Sequence, residues 1–290
     1  MEDAILGFLL YGVEPKVFLG TYSYSTLIVM SKYNMPKGMR PATLGERKEF
    51  YVSEFDLEKV AEWFKGRGDK TKFAVIIGRH TKIYPQEYRE DAETTIIIEQ
   101  YNNLEDLRSQ IIDFLPEAAY YDRNTYDPHD RVTGQEIAFD LDPENITCPV
   151  HGTLEDKMKR GQGLGFCGIE LDMVKQQAVG LYEFLEEQFS QLCVVYSGRG
   201  FHIHVFDKKA YALSTKKREQ IAKTVKEKGF EIDEWVTAGE MRLIRLPYSL
   251  NGLVSRIAVP LEKREIEKFD PVHDVRCIPV FLQGEVAISS

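Results

Sequence analysis

Two aspartates, Asp140 and Asp142, sit in the apolar run Ile137-Ala138-Phe139-Asp140-Leu141-Asp142. Along a β-strand successive side chains point to opposite faces. Ile137, Phe139 and Leu141 therefore enter a core, and the two carboxylates leave together from the other face. A rise of ~3.3 Å per residue holds them roughly 6–7 Å apart, where like charges repel unless a cation lies between them. A pair of divalent metal ions meets that demand and suits phosphoryl or nucleotidyl transfer. The plain alternative is a strand with a solvated polar face.

A second group surrounds the turn Ser197-Gly198-Arg199-Gly200. In the strand after it Phe201, Ile203 and Val205 face inward, while His202 and His204 share the opposite face. Two glycines permit positive φ and a close backbone approach to a ligand. With a hydroxyl, a guanidinium and an imidazole alongside, the turn is equipped to hold a triphosphate. The bland reading is a tight hairpin. Asp233, in Phe230-Glu231-Ile232-Asp233-Glu234-Trp235, offers a third carboxylate for a two-metal cage, and alternation alone does not choose it over Glu231 or Glu234. Further on, Arg242 and Arg245 fall on opposite strand faces, followed by Ser249 and Asn251 in a turn. One arginine can stabilise phosphate charge and Ser249 or Asn251 can add hydrogen bonds; surface salt bridging is the alternative.

Cys148-Pro149-Val150-His151 and Cys167-Gly168-Ile169-Glu170 have metal-ligand spacing at both ends of a polar, Gly-rich excursion. Zinc favours tetrahedral sulfur and nitrogen donors, so Cys148, His151 and Cys167 predict a structural Zn²⁺ knuckle, with Glu170 standing where a fourth cysteine is expected. Cys193 and Cys277 read as packed thiols.

The elements that must position these groups are strands alternating with helices. Phe73–Ile77 and Thr94–Ile98 look like buried strands. Asn103 caps a helix carrying Leu104, Leu107, Ile111 and Phe114, which Pro116 ends. Residues 174–192 have helical apolar spacing; Cys193–Tyr196 and Phe201–Val205 are strands; Ser214 caps a helix to Lys228 that Gly229 stops. Leu243–Leu246 and Arg256–Val259 are strand-like. From Asp140 onward the order predicts an antiparallel sheet with helices on one face, so the fold class is α+β.

With 290 residues, 43% hydrophobic and 29% charged, the chain suits one large domain or two packed smaller ones. No apolar run approaches the ~20 residues of a membrane span. The start lacks the basic segment of a secretory signal, and four scattered cysteines suit a reducing compartment, so a cytoplasmic location is expected. A net charge of −9 argues against a whole-surface polyanion binder. It leaves room for a local basic groove, metal-mediated contacts or a partner subunit.

Taken together, the motifs resemble the archaeo-eukaryotic primase family, most closely its archaeal small catalytic subunits. Asp140 and Asp142 match the first motif, Ser197 through His202 the second and Asp233 the third; Leu243 to Leu250 match the Leu-Arg-Leu-Pro-x-Ser-Leu segment that follows. Arg47-Lys48-Glu49-Phe50 resembles the family's Arg-Glu-Phe segment, and Ala119 to Asp122 with Tyr126-Asp127-Pro128 its tyrosine-rich run. The likeness covers roughly residues 45 to 262. Three departures stand out: one basic residue, Arg199, in the turn, as in stand-alone primase-polymerases; Asn251 where His is common; and Glu170 as fourth zinc residue.

The resemblance implies primer synthesis from nucleoside triphosphates on a single-stranded DNA template during replication. Asp140, Asp142 and Asp233 would bind Mg²⁺ or Mn²⁺, and Ser197, Arg199, His202 and Arg245 would hold the triphosphate. It further implies an N-terminal α/β unit packed on an RRM-like unit, forming one catalytic module over residues 1–290, with a zinc insertion at about 143–172. A large primase subunit is the expected partner. The alternatives are a stand-alone primase-polymerase of a mobile element, defence or repair system, and a catalytically silent primase-like nucleic-acid-binding module.

Overall fold

The computed structural model describes residues 35–66 and 71–288. The amino-terminal residues behind the expectation about a signal segment lie outside the described residues. Numbered along the chain, the strands are β1 (Phe73–Ile76), β2 (Thr95–Ile98), β3 (Ala118–Asp122), β4 (Asn124–Tyr126), β5 (Val132–Gln135), β6 (Ile137–Leu141), β7 (Leu192–Tyr196), β8 (Phe201–Val205), β9 (Leu243–Arg245), β10 (Leu250–Asn251), β11 (Arg256–Ile257) and β12 (Val259–Leu261). They form two four-stranded antiparallel sheets, ordered β2-β1-β3-β9 and β12-β7-β8-β6, and two short ribbons, β4-β5 and β10-β11.

The alternation expected of β6 and β8 is present. Ile137, Phe139, Leu141, Phe201, Ile203 and Val205 bury against Val174, Ala178, Leu181 and Leu185 of the helix Gly168–Glu186. Each such side chain stabilises the fold by about 1.5–3 kcal/mol. The opposite face of β6 packs toward the first sheet, where Ala138 joins Tyr121, Val236 and Ile244 in a second apolar cluster. The second sheet therefore lies between its helical layer and the first sheet. Polar residues on this inner face must pair with one another or line an opening.

Local rules account for most element ends. Asn103 accepts a hydrogen bond from the Asp106 amide at 3.0 Å, and the helix Leu104–Phe114 closes through Leu115 in the left-handed region at φ 43°. Ser214 caps Thr215–Glu227, and Gly229 stops it at φ 91°. Two boundaries differ from expectation. The long helix starts at Gly168, not near Val174, because Glu170 reaches back to the Cys167 amide at 2.9 Å and closes its first turn. The stretch 256–259 is not one strand. The Ala258 amide bonds Ser249 O while the Ile257 amide turns to Cys277 O, so the chain crosses from the ribbon to the sheet at that point.

Among the described residues no helix is long and apolar enough to cross a membrane.

Candidate active site

Asp140 sits directly opposite His202 in the β6–β8 pairing, with His202 Nε2 3.3 Å from Asp140 Oδ1. Asp142 lies one residue beyond the end of β6, on the same face. Asp233 is brought alongside by two ties to β6. Its own amide donates to Asp140 O at 2.9 Å, and the Thr237 hydroxyl donates to Ala138 O at 3.0 Å. Asp233 also caps the helix Glu234–Ala238 by accepting from the Trp235 amide. All three aspartates line one cavity of about 260 Å³. Glu231 and Glu234, the other two acids of that segment, instead turn toward Lys226 and do not line the cavity.

The electrostatics follow from crowding. Burial raises the Asp142 carboxyl, Arg199 opposes this, and the nearby Glu144 and Asp140 add to it, leaving Asp142 pushed up to about 6. Asp233 is raised by burial and by Asp140. Burial works against ionised Asp140 too, but His202, Arg199 and Arg245 more than offset it and hold the group below its ordinary value.

The β7–β8 turn carries Arg199 into the same cavity. Gly198 has φ 100°, and a Cβ there would meet Asn251 at 2.5 Å; one on Gly200 would fall 2.0 Å from Leu141 O. Both glycines are thus demanded by close packing. Ser197 Oγ accepts from the Gly200 amide at 3.2 Å, keeping its own proton for another partner. Arg199 forks between Asp142 Oδ1 at 3.0 Å and Glu144 Oε1 at 2.8 Å. Arg245 lies over the Tyr120 ring at 4.9 Å. Three buried polar atoms of residues lining this cavity have no hydrogen-bond partner: His202 Nδ1, Arg199 Nε and Arg245 Nη1. Asp140 Oδ1 has the His202 imidazole at 3.3 Å. Buried polar groups are normally paired, and here three that are not lie beside three carboxylates.

Not every sequence candidate points there. Ser249 is buried and donates to Leu246 O at 2.6 Å, away from the cavity lining. Asn251 reaches the lining, but its amide braces the turn by donating to Ser197 O at 3.1 Å and accepting from the Leu253 amide. Arg242 pairs with Asp122 at 3.3 Å.

The facing wall escaped sequence reasoning. Arg79, His80, Glu117 and Tyr120 line the cavity from the first sheet. Burial disfavours the Glu117 carboxylate, but His80 Nδ1 at 2.6 Å and the His80 and Thr81 amides hold it down to about 2. Arg47, from the Arg-Lys-Glu-Phe segment, pins this loop through Ile77 O, Ile83 O, Leu115 O and Thr81 Oγ1. Glu144 was also missed; its one signal was an acid two residues past Asp142.

The Cys/His excursion closes on itself. Cys148 and Gly152 exchange backbone hydrogen bonds, turning His151 back so that its Nδ1 lies 3.4 Å from Cys148 Sγ. Cys167 Sγ lies 3.8 Å from Cys148 Sγ, and a donor atom from each of Cys148, His151, Cys167 and Glu170 falls within 4.8 Å of the others. Two thiols and an imidazole suit zinc. Glu170, fully buried, is engaged on both oxygens, by Lys157 at 2.6 Å and by the Cys167 amide.

No family model matches the chain. A curated protein of Archaeoglobus fulgidus, described as an uncharacterized DNA primase small subunit-like protein, is 49% identical over 276 residues, covering 89% of this chain and 97% of its own. The chain belongs to the DNA primase small-subunit-like family. Its more distant relatives in this primase family include the DNA primase small subunits of Pyrobaculum calidifontis, 26% identical over 65% of this chain and 73% of that protein, and of Pyrococcus abyssi, 29% identical over 63% and 49%. Among solved structures, the polymerase domain of Mycobacterium tuberculosis ligase D, in complex with DNA, shares the fold with a TM-score of 0.51. That match has 13% identity and covers 85% of this chain and 89% of that one. The relatives are described as DNA primase small subunits or as a protein like them.

Proposed function

We propose that this chain synthesises short primers from nucleoside triphosphates on a single-stranded DNA template, by two-metal nucleotidyl transfer. The observation that carries this is the convergence of Asp140, Asp142 and Asp233 on one cavity with three unpartnered buried polar atoms. Three carboxylates gathered in one cavity fit Mg²⁺ or Mn²⁺, which prefer hard oxygen donors. Bound there, the metal supplies neutralisation of the triphosphate and a lowered pKa for the attacking hydroxyl. Arg199 and Arg245 hold phosphate oxygens in a site where few waters compete. His202 offers Nδ1 to the ligand, with Asp140 at Nε2 fixing the ring. The Ser197 hydroxyl adds a neutral donor, and Asn251 keeps the turn in shape; Ser249 acts at a distance, through the turn that follows β9.

The chain is proposed to form one catalytic module over 1–290, an α/β unit on an RRM-like unit. What supports the RRM-like reading is the path β6, helix, β7, β8, helix, then Ile232-Asp233 running beside β6 through the Asp233 amide. With that segment as a fourth strand the lateral order is second, third, first, fourth, that of the split βαβ arrangement. Within about 143–172, Cys148, His151 and Cys167 would hold a structural Zn²⁺ with Glu170 as fourth ligand. Two thiolates and a carboxylate exceed the zinc charge by one, and Lys157 balances it. A cytoplasmic location is part of the proposal, since Cys148, Cys167, Cys193 and Cys277 form no disulfide.

The test is primer synthesis on single-stranded template with labelled ribo- and deoxyribonucleotides and Mn²⁺. Asp140→Ala should abolish dinucleotide formation while the fold persists; undiminished synthesis by that variant overturns the assignment. A second reading, a primase-polymerase acting without a large subunit, is favoured by the single basic residue of the turn. Efficient extension by the isolated chain selects it; dependence on an added large subunit selects the replicative role.

A further inference from the structure

Arg199 is held by two acids that ought to compete with its proposed work. Its side chain is 8% exposed and forks to Asp142 Oδ1 at 3.0 Å and Glu144 Oε1 at 2.8 Å, with the Phe166 ring 5.7 Å away. The same Asp142 oxygen accepts the Glu144 amide at 3.0 Å, so the backbone locks Glu144 beside Asp142. Pro143 between them restricts the chain further. Both partners strengthen the guanidinium charge against the cost of burial. Only Nε of Arg199 is left without a partner.

We propose that Glu144 is a positioning residue that makes nucleotide binding depend on metal, by parking Arg199 across the metal-binding carboxylate until metal arrives. This rests on the proposed nucleotidyl-transfer reading. Asp142 Oδ1 already accepts from both Arg199 and the Glu144 amide, so a divalent cation taken by that oxygen displaces one of them. When the carboxylate turns to metal, one arm of the fork is released and becomes available to a phosphate oxygen. The other arm stays on Glu144, so the freed arm keeps its aim into the cavity. Without metal, an incoming triphosphate meets three aspartates, Glu144 and an arginine already occupied. Glu144 thus penalises metal-free nucleotide and leaves the metal-loaded nucleotide nearly unaffected. Atoms and charges balance because the step is an exchange of ion-pair partners and no bond is made or broken.

The experiment is equilibrium titration of the full chain with a fluorescent nucleoside triphosphate, without metal and with Mn²⁺ but no template, so that turnover plays no part. Wild type should bind much more tightly with Mn²⁺. Glu144→Gln should tighten metal-free binding by about tenfold, the scale of one charge-assisted contact, and change Mn²⁺-loaded binding by less than about threefold. Glu144→Asp, which keeps the charge, should retain most of the wild-type metal dependence. Equal metal dependence in wild type and Glu144→Gln overturns the positioning role while leaving the functional reading intact. No nucleotide binding by wild type with Mn²⁺ overturns both. A merely structural role for Glu144 would weaken both titrations together, and that result also overturns the proposal.

Discussion

The acid cavity and the Cys/His excursion are both polar sites, but they resolve burial in different ways. In the cavity His202 Nδ1, Arg199 Nε and Arg245 Nη1 are left without partners. In the excursion Glu170 is satisfied on both oxygens, Lys157 bonds Glu170 and Gly165 O, and Gln162 Oε1 is left unpaired. An unpaired buried polar group costs about 1–3 kcal/mol. The difference separates several unpaired atoms gathered at one opening from a loop whose buried carboxylate is held by a lysine and a backbone amide.

The comparison breaks most visibly at Asp233. Asparagine caps a helix as well as aspartate does, so Asp233→Asn should keep the melting temperature within a few degrees. Losing one metal carboxylate should cost primer synthesis about 10³-fold, equivalent to ~4 kcal/mol of transition-state stabilisation. Parallel melting and dinucleotide assays check this, and equal losses in both would make the cavity as structural as the knuckle. Lys157→Met reverses the experiment, leaving Glu170 buried and unpaired. Denaturant unfolding in chelator should show a loss of about 3 kcal/mol, partly restored by added zinc. Unchanged stability would mean that the ion pair does not close the excursion.

Glu117 sharpens the contrast within the cavity, being its one fully satisfied acid. Its folded pKa of about 2 lies below the ordinary 4.5. Its stabilisation is therefore present above pH 4.5 and lost as pH falls toward 2. Glu117→Gln should destabilise by about 2–3 kcal/mol at pH 7, a gap that narrows between pH 4.5 and 2 in urea titrations; a pH-independent gap would refute the ion-pair account. The smallest effect is expected from Tyr120→Leu, which removes the ring under Arg245. A cation–π contact of ~0.5–1 kcal/mol predicts a two- to fivefold rise in nucleotide KM with kcat little changed.

Much of one wall was legible because its code is local. Alternation in β6 and β8 fixed which residues face the cavity, and Gly198 and Gly200 announced a turn pressed against its neighbours. Caps at Asn103 and Ser214 were equally plain, since each is decided within four residues. The other wall was not legible. Arg79, His80, Glu117 and Tyr120 have no shared spacing, and the packing of the first sheet against the second, which brings them to the cavity, is long-range. Asn251 and Ser249 looked alike as turn donors, but packing sent one to the turn and the other to Leu246 O.

By itself the sequence determined that two carboxylates leave one strand face together, that a glycine-flanked arginine precedes an inward–outward strand, and that two cysteines and a histidine have knuckle spacing. These are consequences of backbone periodicity and chain connectivity, which act over a few residues. Only the tertiary structure decided that Asp233 and not Glu231 or Glu234 joins the pair, that Arg199 is shared between Asp142 and Glu144, and that Glu170 is neutralised by Lys157. Those outcomes depend on which buried charges meet across elements, where desolvation makes an unpaired group costly and so selects its partner.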